Sequence, residues 1–297
     1  MLVVEPDPNL DREALAAAAL DDSSTAGDDQ RRARDRGDLG KRLWLATWPK
    51  VAAIAIALLL WQMVVWSGWR PEYVLPGPVT VFRRLRELIA DGTVWDAVYV
   101  TMRRAIIGFA IAVVIGVIVG GIVSSSKVAR SAVGSMITGI QTMPSIAWFP
   151  LAIVLFKLSE GAITFVVVLG AAPSIANGLI TGVDHVPPVL LRAGHMMGAK
   201  GFSKFRHVVL PASMPSFVGG LKQGWSFAWR SLMAGELLVT LGVFSVGFLL
   251  AQYRNVQDYP GLIAMMIVIL VIGILVDSLV FGTIDKWVRR RHGLLND

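Results

Sequence analysis

The residues best placed to do chemistry in this chain are three charges embedded in apolar runs. Arg230 and Glu236 fall within the stretch 208–251, and Asp277 within 260–284. A charge at bilayer depth is costly, so such residues face a bundle interior or a wet path. At helical spacing Trp225, Trp229, Leu232 and Glu236 share one face, and Gln223 and Arg230 share a neighbouring one. Two readings of Arg230 fit: it contacts an anion through its guanidinium, or it forms a structural ion pair with Glu236 or Asp277. Asp277 alternatively neutralises basic residues near the end of its own segment. Pro173, which removes a helix hydrogen bond, stands beside Ser174 and Asn177, and the group reads either as a cavity-facing bend or as a packed kink. The candidates to line such a path are therefore Arg230, Glu236, Trp229, Gln223 and Asn177.

Other chemistry is excluded by composition. Cys is 0, so there is no disulfide framework, thiolate metal site or cysteine nucleophile. His185, His195, His207 and His292 lack metal-ligand spacing, and no metal site is expected. No G-x-x-x-x-G-K-[ST] occurs, so the chain itself holds no ATP by a phosphate loop. No nucleophile–base pair is readable, and no catalytic residue is assigned. The chain is expected to be no enzyme and to bind no cofactor of its own.

The elements that must position these residues are membrane helices. Of 297 residues, 55% are hydrophobic and 16% charged, against roughly 25% charged in a soluble domain; mean hydropathy is +0.62. Six apolar segments follow one another: about 43–66, 105–123, 131–156, 161–183, 208–251 and 260–284. A span needs about 20 apolar residues, and without strand-like alternation only an all-α polytopic transmembrane bundle of about six spans is viable. The third segment is interrupted by Pro144 and Pro150. The fifth is too long for one span and divides into a helix over about 216–238 and a broken or re-entrant piece at 242–247. In the second, Gly108, Ala112, Gly116, Gly120 and Ser124 repeat every fourth residue, which permits close backbone approach. That stripe reads as a packing seam or as a moving one.

Residues 1–42 are a different material, mixed in charge and poor in large apolar residues, and are expected to form a disordered cytoplasmic tail ahead of a transmembrane domain at 43–297. The acidic start and late apolar run do not fit a signal peptide. The net charge of +7 is mostly topology rather than nucleic-acid binding. Arg31 to Arg42, Lys127 with Arg130, Arg192 to Arg206, and Lys286 to Arg291 all fall on one side of a six-span chain, which the positive-inside rule makes cytoplasmic together with both termini. Residues 67–104 are then external, although they carry six Arg including Arg103 and Arg104. Within them, Val79 to Leu88 is amphipathic and suits the interface.

The longest polar interruption between segments is DHVPPVLLRAGHMMGAKGFSKFRHVVLP, beginning at Asp184. Pro187 and Pro188 suit a first helical turn. Leu190, Ala193, Gly194 and Met197 repeat at helical spacing, and Gly198 and Gly201 end the helix. An exposed apolar helix face on the inner side wants a partner.

This segment resembles the EAA loop of the membrane subunits of binding-protein-dependent ABC importers. The match falls on Arg192-Ala193-Gly194, Gly198 and Leu210-Pro211. Arg192 stands where the pattern has Glu, and Gly194 where it has a second Ala. More of the chain, about 44–290, is similar to the nitrate/sulfonate/taurine permease branch: Leu75-Pro76-Gly77-Pro78, the segment Thr101 to Gly120, PSIAWFPL from Pro144, Phe205-Arg206-His207, and Ala228-Trp229 through Glu236-Leu237. Phe156-Lys157-Leu158 departs from that branch's pattern.

The resemblance implies a type I ABC importer permease fold in the cell (inner) membrane. It implies that a coupling helix at about 186–200, through Leu190, Arg192, Ala193, Gly194, Met197, Gly198, Ala199 and the re-entry at Leu210-Pro211, docks on an ATPase. It implies as partners a second copy of the chain, two cytoplasmic ATPase subunits that hold ATP and Mg, and an extracytoplasmic solute-binding protein. The cargo implied is a small anionic solute such as a sulfonate, taurine or nitrate. The alternative is an ion-gradient-driven secondary transporter, which shares broken spans and buried charges and which internal repeats would favour; no convincing repeat is visible.

Overall fold

A computed structural model describes residues 44–45, 47–239 and 242–291. The expected tail at 1–42 lies outside them. The described chain is helical, without strands, and divides at Pro71 into two units, each described by itself. The first unit holds α1, Thr47–Trp66, which matches the first expected span.

The second unit begins with α2 (Pro78–Ala90), which starts on a proline, where no N–H is needed. Its amphipathic face is not left at an interface alone. Val81 and Leu88 are buried as it packs on neighbouring helices, while Val79 and Phe82 remain exposed. Its own Arg84, steadied by Glu87 of the same helix at 3.1 Å, ties it to Asp258 at 3.0 Å. The Asp91 carboxylate then accepts the Thr93 backbone N–H at 2.9 Å, which holds its pKa below the ordinary carboxylate value and starts the next helix.

That helix, α3 (Thr93–Ser125, 33 residues), begins about three turns earlier than the apolar segment suggested. Thr101, Arg103 and Arg104, expected in an external loop, belong to it. The third segment folds as α4 (Lys127–Thr142), a 3-10 turn (Ser145–Trp148) and α5 (Phe149–Phe156). The two halves are bent by 101° at Met143-Pro144. Pro144 cannot donate to the helix before it, and the residue ahead of a proline is driven out of the helical region; Met143 accordingly has φ −75° and ψ 132°.

The centre of the unit is α6 (Glu160–Asp184), which runs through Pro173 without a break. Asp184 at its end pairs with Arg130 of α4. One side of α6 receives α3, whose Gly108, Gly116 and Gly120 lie directly on Val167, on Ile175 and the Ala172 carbonyl, and on the Ala176 carbonyl. The small-residue stripe is thus a packing seam of this structure. The other side receives α9 (Leu210–Leu238). There Gly178 and Gly220 meet backbone to backbone: a Cβ on Gly178 would stand 2.5 Å from the Gly220 Cα. Close approach of this kind is what associates helices in lipid.

A short helix α7 (Pro188–Met196) caps one end of this pair, and the chain re-enters through α8 (Gly201–Lys204) and a π-helical turn (Phe205–Val209) into α9. The fifth segment is therefore helical from its start rather than from 216. At the broken or re-entrant piece expected over 242–247 the helix is broken: Gly242 has φ +68°, and α10 (Val246–Asn255) follows, capped by Ser245. The last segment runs as α11 (Tyr259–Leu275), a π turn (Val276–Phe281) and α12 (Gly282–Arg291).

Four helices among the described residues are long and apolar enough to cross a membrane: α1, α3, α6 and the run Tyr259–Arg291. The bent pair of α4 and α5 makes a fifth. The remaining expected span, the fifth in chain order, is α9. Its 29 residues reach about 43 Å at ~1.5 Å per residue, but Lys222, Arg230 and Glu236 interrupt its apolar character.

Candidate functional site

The bend at Met143-Pro144 opens a cleft against α9. It has a volume of about 360 Å³ and is lined by Gln141, Thr142, Met143, Pro144, Ser145, Ile146, Phe227, Arg230 and Ala234. One wall is the frayed end of α4 and the start of the 3-10 turn, where backbone groups lack helical partners. The other is a face of α9 with a single charge. Arg230 is held in place by its own helix: its Nε donates to the Ser226 carbonyl at 3.0 Å, and its guanidinium lies 4.8 Å from the Phe227 ring centroid. It forms no ion pair among the described residues, and it is exposed. Gln141 Nε2 donates to the buried Ser174 hydroxyl at 2.9 Å, which ties the bend to α6 and makes the polar part of the Pro173 region packed. A fixed, unshared guanidinium opposite polar groups and apolar walls can accept a small oxyanion by charge-assisted hydrogen bonds.

The sequence-derived set does not assemble as one site. Arg230 lines the cleft. Glu236 does not pair with it, which corrects the counter-charge expected for Arg230. The Glu236 carboxylate is wholly enclosed and is met by Arg104 Nη1 at 3.1 Å, the Gly247 backbone N–H at 3.0 Å and the Thr101 hydroxyl at 3.0 Å. Thr101 Oγ1 in turn accepts the Val246 N–H at 2.9 Å. The second guanidinium arm of Arg104 reaches Glu160 at 2.9 Å. This network pins the N-terminus of α10 and the end of α9 to α3. The reason is positional: residue 236 lies on the buried side of α9 with Trp225, Trp229 and Leu232, whereas Arg230 lies on the exposed side. Asp277 pairs with Lys222 at 3.1 Å instead of with Arg230. Trp229 is buried and stacked on Trp225, 6.4 Å between centroids. Gln223 and Asn177 are exposed on α9 and α6 and do not line the cleft.

Sequence reasoning missed Gln141, Thr101 and Arg104. Gln141 was readable, being a polar residue three positions ahead of a proline inside an apolar run. Arg104 was not, because its charge was taken to end the span.

At the other end of α9, the nine residues of α7 fall within the segment expected at about 186–200 and are shorter than it. Leu190, Arg192, Ala193, Met196 and Met197 are exposed, and Gly194 is buried against Val208. The helix ends as the glycine spacing required: Gly198 sits at φ +82°, its N–H donates to the His195 carbonyl at 3.0 Å, and the Ala199 N–H donates to the Gly194 carbonyl at 2.9 Å. The apolar side chains thus project from a short helix joined to α6 at one end and, through α8, to α9 at the other.

Residues 112–290 match the family model described as "Binding-protein-dependent transport system inner membrane component". A probable ABC transporter permease protein of Brucella abortus is 28% identical over 80% of this chain and 94% of its own length. The nitrate import permease protein NrtB of a Synechocystis species is 27% identical, over 78% of this chain and 87% of that one. A putative aliphatic sulfonates transport permease protein, SsuC of Bacillus subtilis, is 26% identical, over 76% and 81%. In three dimensions the chain is similar to a subunit of the MetNI methionine ABC transporter in an inward-facing conformation, with a TM-score of 0.53 and 21% identity over 68% of this chain and 97% of that one.

Proposed function

The chain belongs to the family of inner membrane components of binding-protein-dependent transport systems, and from that premise we propose that two copies form the path by which an ATP-driven importer admits a small anionic solute. That it is an ABC importer permease subunit follows from the family. The solute class rests on one observation above all: among the described residues Arg230 stands without an acidic partner in the cleft that the broken α4–α5 pair leaves against α9. The relatives named for nitrate and for aliphatic sulfonates are consistent with such a cargo.

In this reading two cytoplasmic ATPase subunits bind ATP with Mg, and an extracytoplasmic binding protein delivers the solute. Both termini and α7 face the cytoplasm. ATP-driven closure of the ATPases draws the two α7 helices together. Because α7 is joined through short rigid turns to α6 and α9, the central helix pair follows, and the path opens outward to the binding protein. Hydrolysis returns it inward. Arg230 meets the anion at the bend, and Gln223 and Asn177, exposed on α9 and α6, face the same path from the paired copies.

The test is uptake by the reconstituted complex of labelled nitrate, taurine and alkanesulfonates. Uptake of one of them that requires ATP hydrolysis supports the reading. Uptake driven by an ion gradient without the ATPase contradicts it. In the same assay Arg230→Ala is expected to abolish uptake while the variant still assembles with its ATPase; normal uptake removes Arg230 from the path. A second variant probes the lever. Gly198→Trp forces a left-handed backbone position onto a bulky residue and should disturb the end of α7. The expected result is ATP hydrolysis that proceeds without uptake, and unchanged coupling argues against α7 as the transmitting element.

A further inference from the structure

The end of the bundle that carries α7 holds a second cavity. It lies between the first turn of α9 and the last turns of α12, has a volume of about 290 Å³, and is lined by Leu210, Pro211, Met214, Trp287, Val288 and Arg291. Five of these are apolar and one is a cation, so the cavity is a greasy slot with a positive rim. Its volume sits at the low edge of ligand pockets, roughly 300–1,000 Å³, which suits a slim chain rather than a bulky solute.

Charge and depth argue for the occupant. The run Tyr259–Arg291 is long and apolar enough to cross a membrane, and its final turns carry Lys286, Arg289, Arg290 and Arg291. Arg289 is spent on Asp285 at 2.9 Å. Arg290 and Arg291 are exposed and have no acidic partner among the described residues; Arg291 lies 5.5 Å from the Trp287 ring centroid. Arg206, exposed and four residues ahead of Leu210, adds a positive charge on the α9 side. An exposed Trp at the end of a span marks headgroup depth, and basic pockets between helices at that depth recognise anionic headgroups.

We propose that the α9–α12 cavity binds one anionic phospholipid, with an acyl chain in the slot formed by Leu210, Met214 and Val288 and the phosphate on Arg290 and Arg291. The lipid braces α12 against the first turn of α9, the helix that α7 leads into. The proposal rests on the membrane-spanning reading of α11 and α12 and is independent of the transported solute.

The experiment is native mass spectrometry of the full-length protein purified with its ATPase, after equilibration with mixed micelles of phosphatidylglycerol or phosphatidylcholine. One phosphatidylglycerol per chain is expected to survive, and phosphatidylcholine is not. Arg290→Gln with Arg291→Gln should weaken retention about 30-fold, since each basic residue near the surface contributes to anionic lipid binding. Met214→Trp, which fills the slot and leaves every charge in place, should also lose the lipid. Inorganic phosphate at millimolar concentration should not displace it. Equal retention of both lipids, retention unchanged in Met214→Trp, or displacement by phosphate alone overturns the proposal. Retention only after the ATPase is removed also overturns it, because the surface would then belong to a protein partner.

Discussion

Arg104→Ala is expected to destabilise the protein severely, by roughly 3–5 kcal/mol, the usual cost of stranding one member of a buried ion pair. In the parent the Glu236 side chain is 0% exposed and that of Arg104 10%. Removing the guanidinium leaves a carboxylate with the Thr101 hydroxyl and the Gly247 N–H but no counter-charge. The damage should be local in origin and global in effect, since the same carboxylate anchors α10 to α9 and α3. The matching double variant separates charge from shape. Arg104→Ala with Glu236→Gln keeps an acceptor for the Gly247 N–H without burying a charge, and should recover a large part of the loss. Heating the detergent-solubilised variants and following the folded fraction by size-exclusion chromatography checks both. An Arg104→Ala variant as heat-resistant as the parent would show that the ion pair does not hold this end of the bundle. Arg230→Ala, by contrast, should melt with the parent, because among the described residues Arg230 has no acidic partner to strand.

The second large effect is expected at the crossing of α6 and α9. A Cβ on Gly178 would meet the Gly220 Cα at 2.5 Å, and one on Gly220 would meet the Gly178 Cα at 2.7 Å. The obstacle is backbone, which cannot rotate away as a side chain can, so Gly178→Ala and Gly220→Ala must push the two central helices apart. Overpacking of this kind costs about 1–3 kcal/mol, and here the upper end is expected. Gly219→Ala is the control. It has no neighbour within 4 Å at its Cβ position, and alanine has the better helix propensity by about 1 kcal/mol. The same thermal assay should place Gly219→Ala at or above the parent and the other two well below it. If all three melt alike, the helices do not cross as closely as described.

The amino-acid sequence discloses the outline of this fold and the position of α7 because both depend on local signals. Apolar runs mark the spans, and the Pro187-Pro188 start and Gly198 end delimit α7 within a residue or two of where the structure has it. The four-residue spacing of Gly108, Ala112, Gly116 and Gly120 correctly marks a helix seam, since a stripe on one face needs no knowledge of its partner. Pairing of charges is different in kind. Glu236 finds its counter-ion 132 positions away, and nothing local distinguishes Arg104 from Arg103 beside it. Both were placed outside the membrane because a window on hydropathy ends where charges begin. In the fold the roughly 100° step between neighbouring helix residues sends Arg104 inward and leaves Arg103 facing out. The cleft was only half legible: Arg230 stood out as a charge in a span, but the wall opposite it comes from a bend whose direction depends on how α4 and α5 pack on α6.

The central claim is that α7 passes the work of an ATPase to the spans, and the absence of cysteine makes it directly measurable. With Cys at 0 in the natural chain, Leu190→Cys provides a single thiol on the exposed face of α7. A maleimide carrying a photoreactive group, attached there in the assembled complex, is predicted to crosslink to the ATPase subunit, and the yield should change between nucleotide-free and ATP-bound states. Labelling of that thiol by an impermeant reagent applied outside intact cells, or crosslinking that never reaches the ATPase, would contradict the account.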